Sequence, residues 1–520
     1  MTEYIYNMGL RFKAVARNYP GNAALIFPDN VVLDYKTLDE KSDCVATHFM
    51  RTGLKCGSVV AIFAEKRPMT YIAMLAALKI GAPYVVLDTR SPKQRLDKIL
   101  ERCQPALLLT EDEGFSWDDR TVLKFHDLES AVAPIAMDVI EKVTGATPAY
   151  LMFTSGSTGF PKGVTVSHAN MLNFCHWARE TFQISPQDIF AGANALYFDN
   201  SVFDFTASLF NGACLVPIDY ETVKQPKFLV ERVQKCTVWF SVPSLLIYLT
   251  TMRALTKGSW PAMRTIIFGG EGFAKSELKK LHDMYAKQAT LWNVYGPTEC
   301  TCICSAKPIG NDDFRNMEEL AALGHLAPNF GGLVMNDEGK SEVADGETGE
   351  LYLAGPQVAL GYYNDPERTR ASFVANPLMP NITQPCYRTG DLVYRDPQTQ
   401  FYHFVGRKDN QIKHMGYRIE LEEIENALAS FPEVAQSAVI YHKSGGPAGR
   451  IVAFLKTTMA IDEAIFKERL RDVIPSYMVP ETLQVMTELP KNANGKVDRK
   501  ALVAQYADAM AVSDKVKAHA

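Results

Sequence analysis

The sequence predicts an α/β protein. A large N-terminal domain would hold two helix-covered sheets and a small distorted β-barrel, and a small α+β domain would follow. Three observations carry this reading. From the N-terminus to about Gly310, short β-rich runs alternate with helical patterns, the signature of parallel sheets covered by helices. Beyond Gly310 the texture changes to short strands joined by Gly- and Asp-rich turns. At 520 residues the chain is too long for one ordinary core.

The elements follow in order. "SVVAIFAEK" reads as a strand and "MTYIAMLAALKIG" as a helix stopped by Gly81, since glycine after the last apolar position is a helix C-terminal signal. "PYVVLD" and "PALLLT" are strands on either side of the helix "SPKQRLDKILERC". The rhythm resumes with the strand "AYLMF", the helix "SHANMLNFCHWARETF" and the strand "DIFAGAN". "TVWFSVP", "RTIIFGG" and "TLWNVYG" are further strands, with the helix "SELKKLHDMYA" between the last two. "GGLVMNDEGK", "GETGELYLAG" and "CYRTGDLVYRDPQTQFYHFVGR" supply the antiparallel, barrel-like unit. After Arg407, "KDNQIKHMGYRIELEEIENALASF" is a charged loop leading into an amphipathic helix. "VAQSAVIYHKSGGPAGRIVAFLKT" reads as a hairpin and "DEAIFKERLRDVI" as a helix. The resulting domains are 1–408, 409–505 and a tail, 506–520, that reads as a frayed helix or an extension.

Composition narrows the function. The chain is 47% hydrophobic and 22% charged, as globular proteins are. Its net charge of −5, from 54 basic and 59 acidic residues, gives no electrostatic case for binding nucleic acid or an anionic membrane. No signal peptide is read at the N-terminus and no apolar stretch reaches a membrane span, so the expected location is cytoplasmic. The ten cysteines are scattered, as in a reduced compartment. In "ECTCICS" the alternate spacing of Cys300, Cys302 and Cys304 lacks the second ligand pair of a zinc site. It reads as a buried strand with cysteines on one face.

The chemistry starts at "FTSGSTGFPKG", Phe153 to Gly163. Backbone N–H groups freed by glycines, with Ser and Thr hydroxyls and Lys162, suit a polyphosphate. The spacing is not that of the Walker loop, because Gly156 and Gly159 are only three apart and Lys162 lies between Pro161 and Gly163. "NVYGPTE" offers an aromatic face at Tyr295, a hydroxyl at Thr298 and a hard carboxylate suited to Mg²⁺ at Glu299. "YRTGDL" places Asp391 in a turn, where a carboxylate can bind two ribose hydroxyls. "LPKNANGKVDRK" ends with Lys496 in a Gly-Lys loop.

In this order, together with "LDYKTL", "LKIGAPYVVLD", "GELYLAGPQVALGYYNDPERT" and "IPSYMVP", these motifs resemble the superfamily of acyl-CoA synthetases, peptide-synthetase adenylation domains and luciferases along nearly the whole chain. The resemblance implies two half-reactions. A carboxylate attacks the α-phosphate of ATP to give an acyl-adenylate and pyrophosphate, and a thiol then attacks the adenylate. ATP and Mg²⁺ are the implied cofactors. By the same resemblance, Thr154, Ser155, Thr158 and Lys162 would hold phosphates. Gly270, Glu271, Asn293 and Tyr295 would contact adenine, and Thr298 the α-phosphate. Glu299 would hold Mg²⁺, and Asp391 the ribose with Arg407 nearby. Lys496 would bridge the substrate carboxylate and the α-phosphate. The C-terminal domain would be a mobile lid hinged at Asp409, with Gly416 leaving room for a pantetheine arm.

The substrate is read from "ALYFDNSVFDF". In the amino-acid-activating branch, the Asp after the Phe of this motif binds the α-ammonium group, and Asp199 stands there. Without an ammonium partner a buried carboxylate would cost about 3–5 kcal/mol. Asp204, five residues on, reads as a solvated or helix-capping acid and takes no role. By alignment of the motifs, Asn200, Phe203, Phe240, Ile267, Gly269, Val294, Cys302 and Ile303 would line the rest of the pocket, with Cys302 on a strand. Two phenylalanines and no second assigned charge imply a small neutral amino acid, alanine first. The segments "WFSVPS", "GYRIELEEIE" and "NGKVDRK" look most like the D-alanine–carrier protein ligase subgroup. No carrier-protein motif is read after Lys496, so the expected partner is a separate carrier protein with a phosphopantetheine arm. The alternatives are an acyl-CoA synthetase for a short carboxylic acid and a nonenzymatic AMP-binding protein. Intact Lys496, Glu299 and Asp391 argue against the second.

Overall fold

The computed structural model describes residues 4–117, 121–130, 132–156, 158–379, 381, 383–443, 449–491 and 497–518. The chain divides into two compact units. The first comprises Met1–Thr89, Arg102–Phe153 and Gly163–Lys408; the second takes Arg90–Glu101, Thr154–Lys162 and Asp409–Ala520. The division is therefore not collinear with the sequence. The segment carrying most of the phosphate loop and most of one N-terminal helix belong with the C-terminal residues.

The first unit contains a nine-stranded and a seven-stranded sheet, both mainly parallel. In the larger one, Thr290–Tyr295, Thr265–Gly269, Val238–Ser241, Ile189–Gly192, Cys214–Pro217 and Ala23–Ile26 run parallel, in that order. Antiparallel strands close both edges. Alternation sends the side chains of one strand to two different cores. Phe240, Ile267 and Val294 face the core shared with the helix Asn200–Leu209, whereas Trp239, Ile266, Phe268 and Leu291 face the other. The helix Pro68–Ile80 ends at Gly81, whose φ of 68° is the left-handed conformation glycine adopts without strain. A five-stranded antiparallel sheet completes the unit, with Tyr402–Arg407 paired to Pro385–Arg395.

One charged cluster lies inside this unit. Lys79 is fully buried, and its Nζ bonds Asp39 Oδ1 at 2.7 Å, Asp43 Oδ1 at 2.6 Å and Ser42 Oγ at 2.8 Å. Lys13 neutralises the same two carboxylates from the neighbouring helix. A lysine so enclosed needs such partners, since burial alone disfavours its charge and pulls its pKa down.

The second unit has its own core on the hairpin Val434–His442/Arg450–Thr457, to which Thr482–Val485 adds a parallel strand. The helices Leu421–Ala429 and Glu463–Arg471 pack apolar faces against it. The chain's last helix runs Arg499–Ala518 without interruption, so no break in secondary structure marks a tail at 506.

One expected strand is absent. Thr298–Cys300 is a 3₁₀ turn, and Thr301 and Cys302 follow with φ of 58° and 71°. The three cysteines of "CTCIC" are buried, but in a tight loop, and the strand begins only at Ser305. The loop doubles back onto Gly296, where a Cβ would lie 2.5 Å from the Cys302 carbonyl oxygen. No alternation of apolar residues betrays such a turn, which is why the sequence reads as a strand.

Candidate active site

Two neighbouring parallel strands set one wall of the candidate site. Phe240 is in register with Ile267, and Gly269 with Val294, all near the carboxyl ends of their strands. Ligands of open α/β sheets bind beyond those ends. Gly269 has to be glycine, because a Cβ there would stand 2.4 Å from the Val294 carbonyl oxygen. Phe203 reaches the same wall from the helix Asn200–Leu209, its ring edge-on to Phe240 with centroids 5.1 Å apart. Cys302 and Ile303 come from the tight loop and share the same core.

Asp199 is the residue just before that helix and is half-buried. The Thr298 hydroxyl donates to its Oδ2 at 2.5 Å. The two residues expected to hold the ammonium group and the α-phosphate are thus in direct contact. Next along the chain, Glu299 is fully buried and accepts from the Tyr362 hydroxyl at 2.8 Å. Among the described residues no group of three or more His, Cys, Asp or Glu could hold a metal ion. A lone buried carboxylate fits Mg²⁺ that draws its other ligands from phosphates and water.

Asp391 lies opposite Arg407 across two antiparallel strands. Its Oδ1 accepts from Arg407 at 2.6 Å and its Oδ2 from the Tyr295 hydroxyl at 2.6 Å. Asp391 is buried and Arg407 half-buried, so the carboxylate leans on the guanidinium for its charge. Tyr295 thereby ties the expected adenine contact to the expected ribose contact. Burial beside Asp391 pushes its hydroxyl pKa well up, so the hydroxyl stays protonated and donates to Asp391. Gly270 takes a φ of 87° at the turn where Glu271 accepts from the Ser244 N–H at 3.3 Å. Asn293 Nδ2 donates to the Ala322 carbonyl at 2.9 Å.

In the second unit the phosphate-loop donors already have anionic or carbonyl partners. Lys162 Nζ lies 3.2 Å from Glu420 Oε1, and the Gly156 N–H donates to Glu423 Oε2 at 3.1 Å. Ser155 Oγ donates to the Arg418 carbonyl at 2.8 Å. Glu423 also pairs with Arg95 in a buried contact. Thr154 Oγ1 is buried with no hydrogen-bond partner among the described residues, a hydroxyl suited to a phosphate oxygen. Thr158 is exposed at the loop's tip. Gly416, with a φ of 85°, turns the chain between the strands Gln411–His414 and Tyr417–Glu420. Asp409, the first residue of the C-terminal segment, accepts from the Gln411 N–H at 3.2 Å. Lys496 lies outside the described residues.

The sequence reading misplaced Asp204. It neither caps a helix nor meets solvent: it is 3% exposed inside the helix Asn200–Leu209. Asn194 Nδ2 donates both to Asp204 Oδ2 at 2.9 Å and to the Phe240 carbonyl at 3.0 Å. Asn194 gives no sequence signal, because the contact joins three separate segments.

Residues 12–363 match the AMP-binding enzyme family, and residues 423–496 match the AMP-binding enzyme C-terminal domain. The chain is 32% identical over 498 residues to the L-proline–[L-prolyl-carrier protein] ligase of Streptomyces coelicolor, covering 90% of this chain and 91% of that protein. It is 30% identical over 503 residues to the D-alanine–D-alanyl carrier protein ligase of Bacillus cytotoxicus, covering 94% and 97%. A match at 32% identity to the dimodular nonribosomal peptide synthase of Bacillus subtilis covers 92% of this chain but only 20% of that protein. The fold is shared with the Vibrio cholerae adenylation domain AlmE, solved with glycyl-adenosine-5′-phosphate. The TM-score is 0.83 at 23% identity, over 98% of this chain and 99% of that one. The chain belongs to the AMP-binding enzyme family.

Proposed function

We propose that the protein activates a small neutral amino acid, alanine first, as its adenylate and passes it to the phosphopantetheine thiol of a carrier protein. The contact between Thr298 and Asp199 carries this reading. With Asp199 as ammonium acceptor and Thr298 as α-phosphate contact, an amino acid held at Asp199 would have its carboxylate directed at phosphorus. In the first half-reaction a substrate carboxylate oxygen bonds to the α-phosphorus, and the bond from that phosphorus to the bridging oxygen of the β-phosphate breaks. Pyrophosphate leaves with that electron pair. No general base is needed, because the nucleophile is already ionised; catalysis is positioning and charge stabilisation. In the second, the thiolate attacks the acyl carbon and AMP departs.

Asp391, with Arg407 and Tyr295, would hold the ribose; Thr154, Ser155, Thr158 and Lys162 the phosphates; and Lys496 the developing charge. Glu299 would hold Mg²⁺, which when bound draws charge from the phosphates. Phe203 and Phe240 shorten the pocket, and support for an amino acid also comes from the proline and D-alanine carrier-protein ligases among the relatives. ATP–pyrophosphate exchange across amino acids of both hands, with acetate and short fatty acids as controls, tests the reading. Exchange with one small amino acid and with no plain acid is expected. Exchange only with a plain acid would make the protein an acyl-CoA synthetase.

A further inference from the structure

The residue left without a role, Asp204, joins two walls of the pocket. On the helix Asn200–Leu209, positions 200, 203 and 204 share one face, because residues three and four apart lie one above the other. Asp204 is therefore on the face that carries Asn200 and Phe203. Its Oδ2 receives one N–H of the Asn194 amide, whose other N–H goes to the main-chain carbonyl of Phe240. Asn194 itself lies just beyond the strand Ile189–Gly192, which separates Cys214–Pro217 from Val238–Ser241 in the sheet. One side-chain amide thus bridges a helix and a strand whose phenylalanines meet edge to face at 5.1 Å.

We propose that Asp204 is a positioning residue of the amino-acid pocket: through Asn194 it ties the helix bearing Asn200 and Phe203 to the strand bearing Phe240, and so sets the space left for the substrate side chain. The inference rests on the amino-acid reading of the site.

The chemistry of Asp204 suits a fixed clamp. Its Oδ1 is buried and has no hydrogen-bond partner among the described residues. Burial pushes the carboxyl up to about 8, against the bond from Asn194 and the positive charge of Lys66. Lys66 Nζ donates to the carbonyls of Gly192 at 2.7 Å and Ile218 at 2.8 Å. Tyr71 and Cys302 also feel the carboxyl's charge, and Cys302 feels Asp199 as well. The folded-state value lies above the unfolded one, so the carboxyl is neutral at pH 7 and ionises as pH rises through about 8, although the bond from Asn194 favours the charged form. Ionisation would leave an uncompensated charge in the wall.

The test is ATP–pyrophosphate exchange with each of the twenty amino acids, for the wild type, Asp204→Asn, Asp204→Ala and Asn194→Ala, with thermal melts to check folding. Asp204→Ala and Asn194→Ala should each raise KM for the preferred amino acid about tenfold. Both should also admit larger amino acids, with KM for ATP unchanged. Asp204→Asn, which can still accept from Asn194, should restore the wild-type selectivity. Between pH 7 and 9 the ratio of wild-type to Asp204→Asn KM for the amino acid should climb; taking the ratio cancels titration of the substrate. Wild-type exchange with variants of unchanged KM and selectivity, or a flat ratio, overturns the inference and leaves the amino-acid reading standing. Exchange by the wild type with no amino acid at all sinks both. If the alanine variants fail to fold, the pH comparison still decides.

Discussion

At the scale of single residues, the Thr298 hydroxyl has one proton, and in this structure it is given to Asp199. Under the proposed function, a substrate ammonium group arriving at Asp199 would bring its own donors and free that proton for the α-phosphate. The amino acid would then assist nucleotide positioning with no movement larger than a hydroxyl rotation. Asp199→Ala should lower amino-acid-dependent exchange at least ~10²-fold, because the ammonium group loses its buried counter-charge. Thr298→Val should cost about 10²–10³ in the adenylation rate while Thr298→Ser keeps most of it. Exchange kinetics read both. Unchanged rates in Asp199→Ala would remove the ammonium assignment. Lys496→Ala should lose adenylation by a similar factor. Thioester formation from supplied adenylate should survive, measured as carrier-protein loading.

Among the elements, two contacts make specific demands. The strands Thr265–Gly269 and Thr290–Tyr295 approach too closely at Gly269 for any side chain, since a Cβ would come within 2.4 Å of a main-chain oxygen. Gly269→Ala should therefore cost about 1–3 kcal/mol, seen as a lower urea midpoint, and should disturb the pocket wall as well. The helix His168–Thr181 is joined to the helix Met8–Asn18 by the Met8 N–H, which donates to His168 Nδ1 at 3.1 Å. The imidazole must be unprotonated there, and burial holds its pKa down at about 3. The folded value is below the unfolded one, so stability is full above about pH 6.5 and falls as pH drops toward 3. Between pH 7 and pH 5 the wild type should lose about 2 kcal/mol through this group, and His168→Gln should not. Denaturant titrations at the two pH values check it. The helix His168–Thr181 was legible from its periodicity, whereas Met8–Asn18 was not read as a helix. Their buried polar contact was not legible either, because it joins positions far apart in sequence. The same limit hid Asn194, and the "CTCIC" turn hid because two non-glycine residues adopt the left-handed conformation there.

Across the whole molecule, the two units have separate hydrophobic cores, and heat should unfold them in more than one calorimetric transition. A single two-state peak would contradict that. The boundary at Lys408 and Asp409 is readable from the change in texture after Arg407. What no local pattern conveys is that Thr154–Lys162 and Arg90–Glu101 belong with the C-terminal residues, since their partners there are more than 250 positions away. That pairing gives the phosphate loop a built-in plug. Glu420 and Glu423 occupy the Lys162 and Gly156 donors proposed to meet phosphate. A lone anion would have to evict two carboxylates. The double variant Glu420→Gln/Glu423→Gln should therefore be inhibited by inorganic phosphate at concentrations the wild type ignores. Two acids from the far end of the chain would then let an adenylating enzyme work in a phosphate-rich solution without being poisoned by its background.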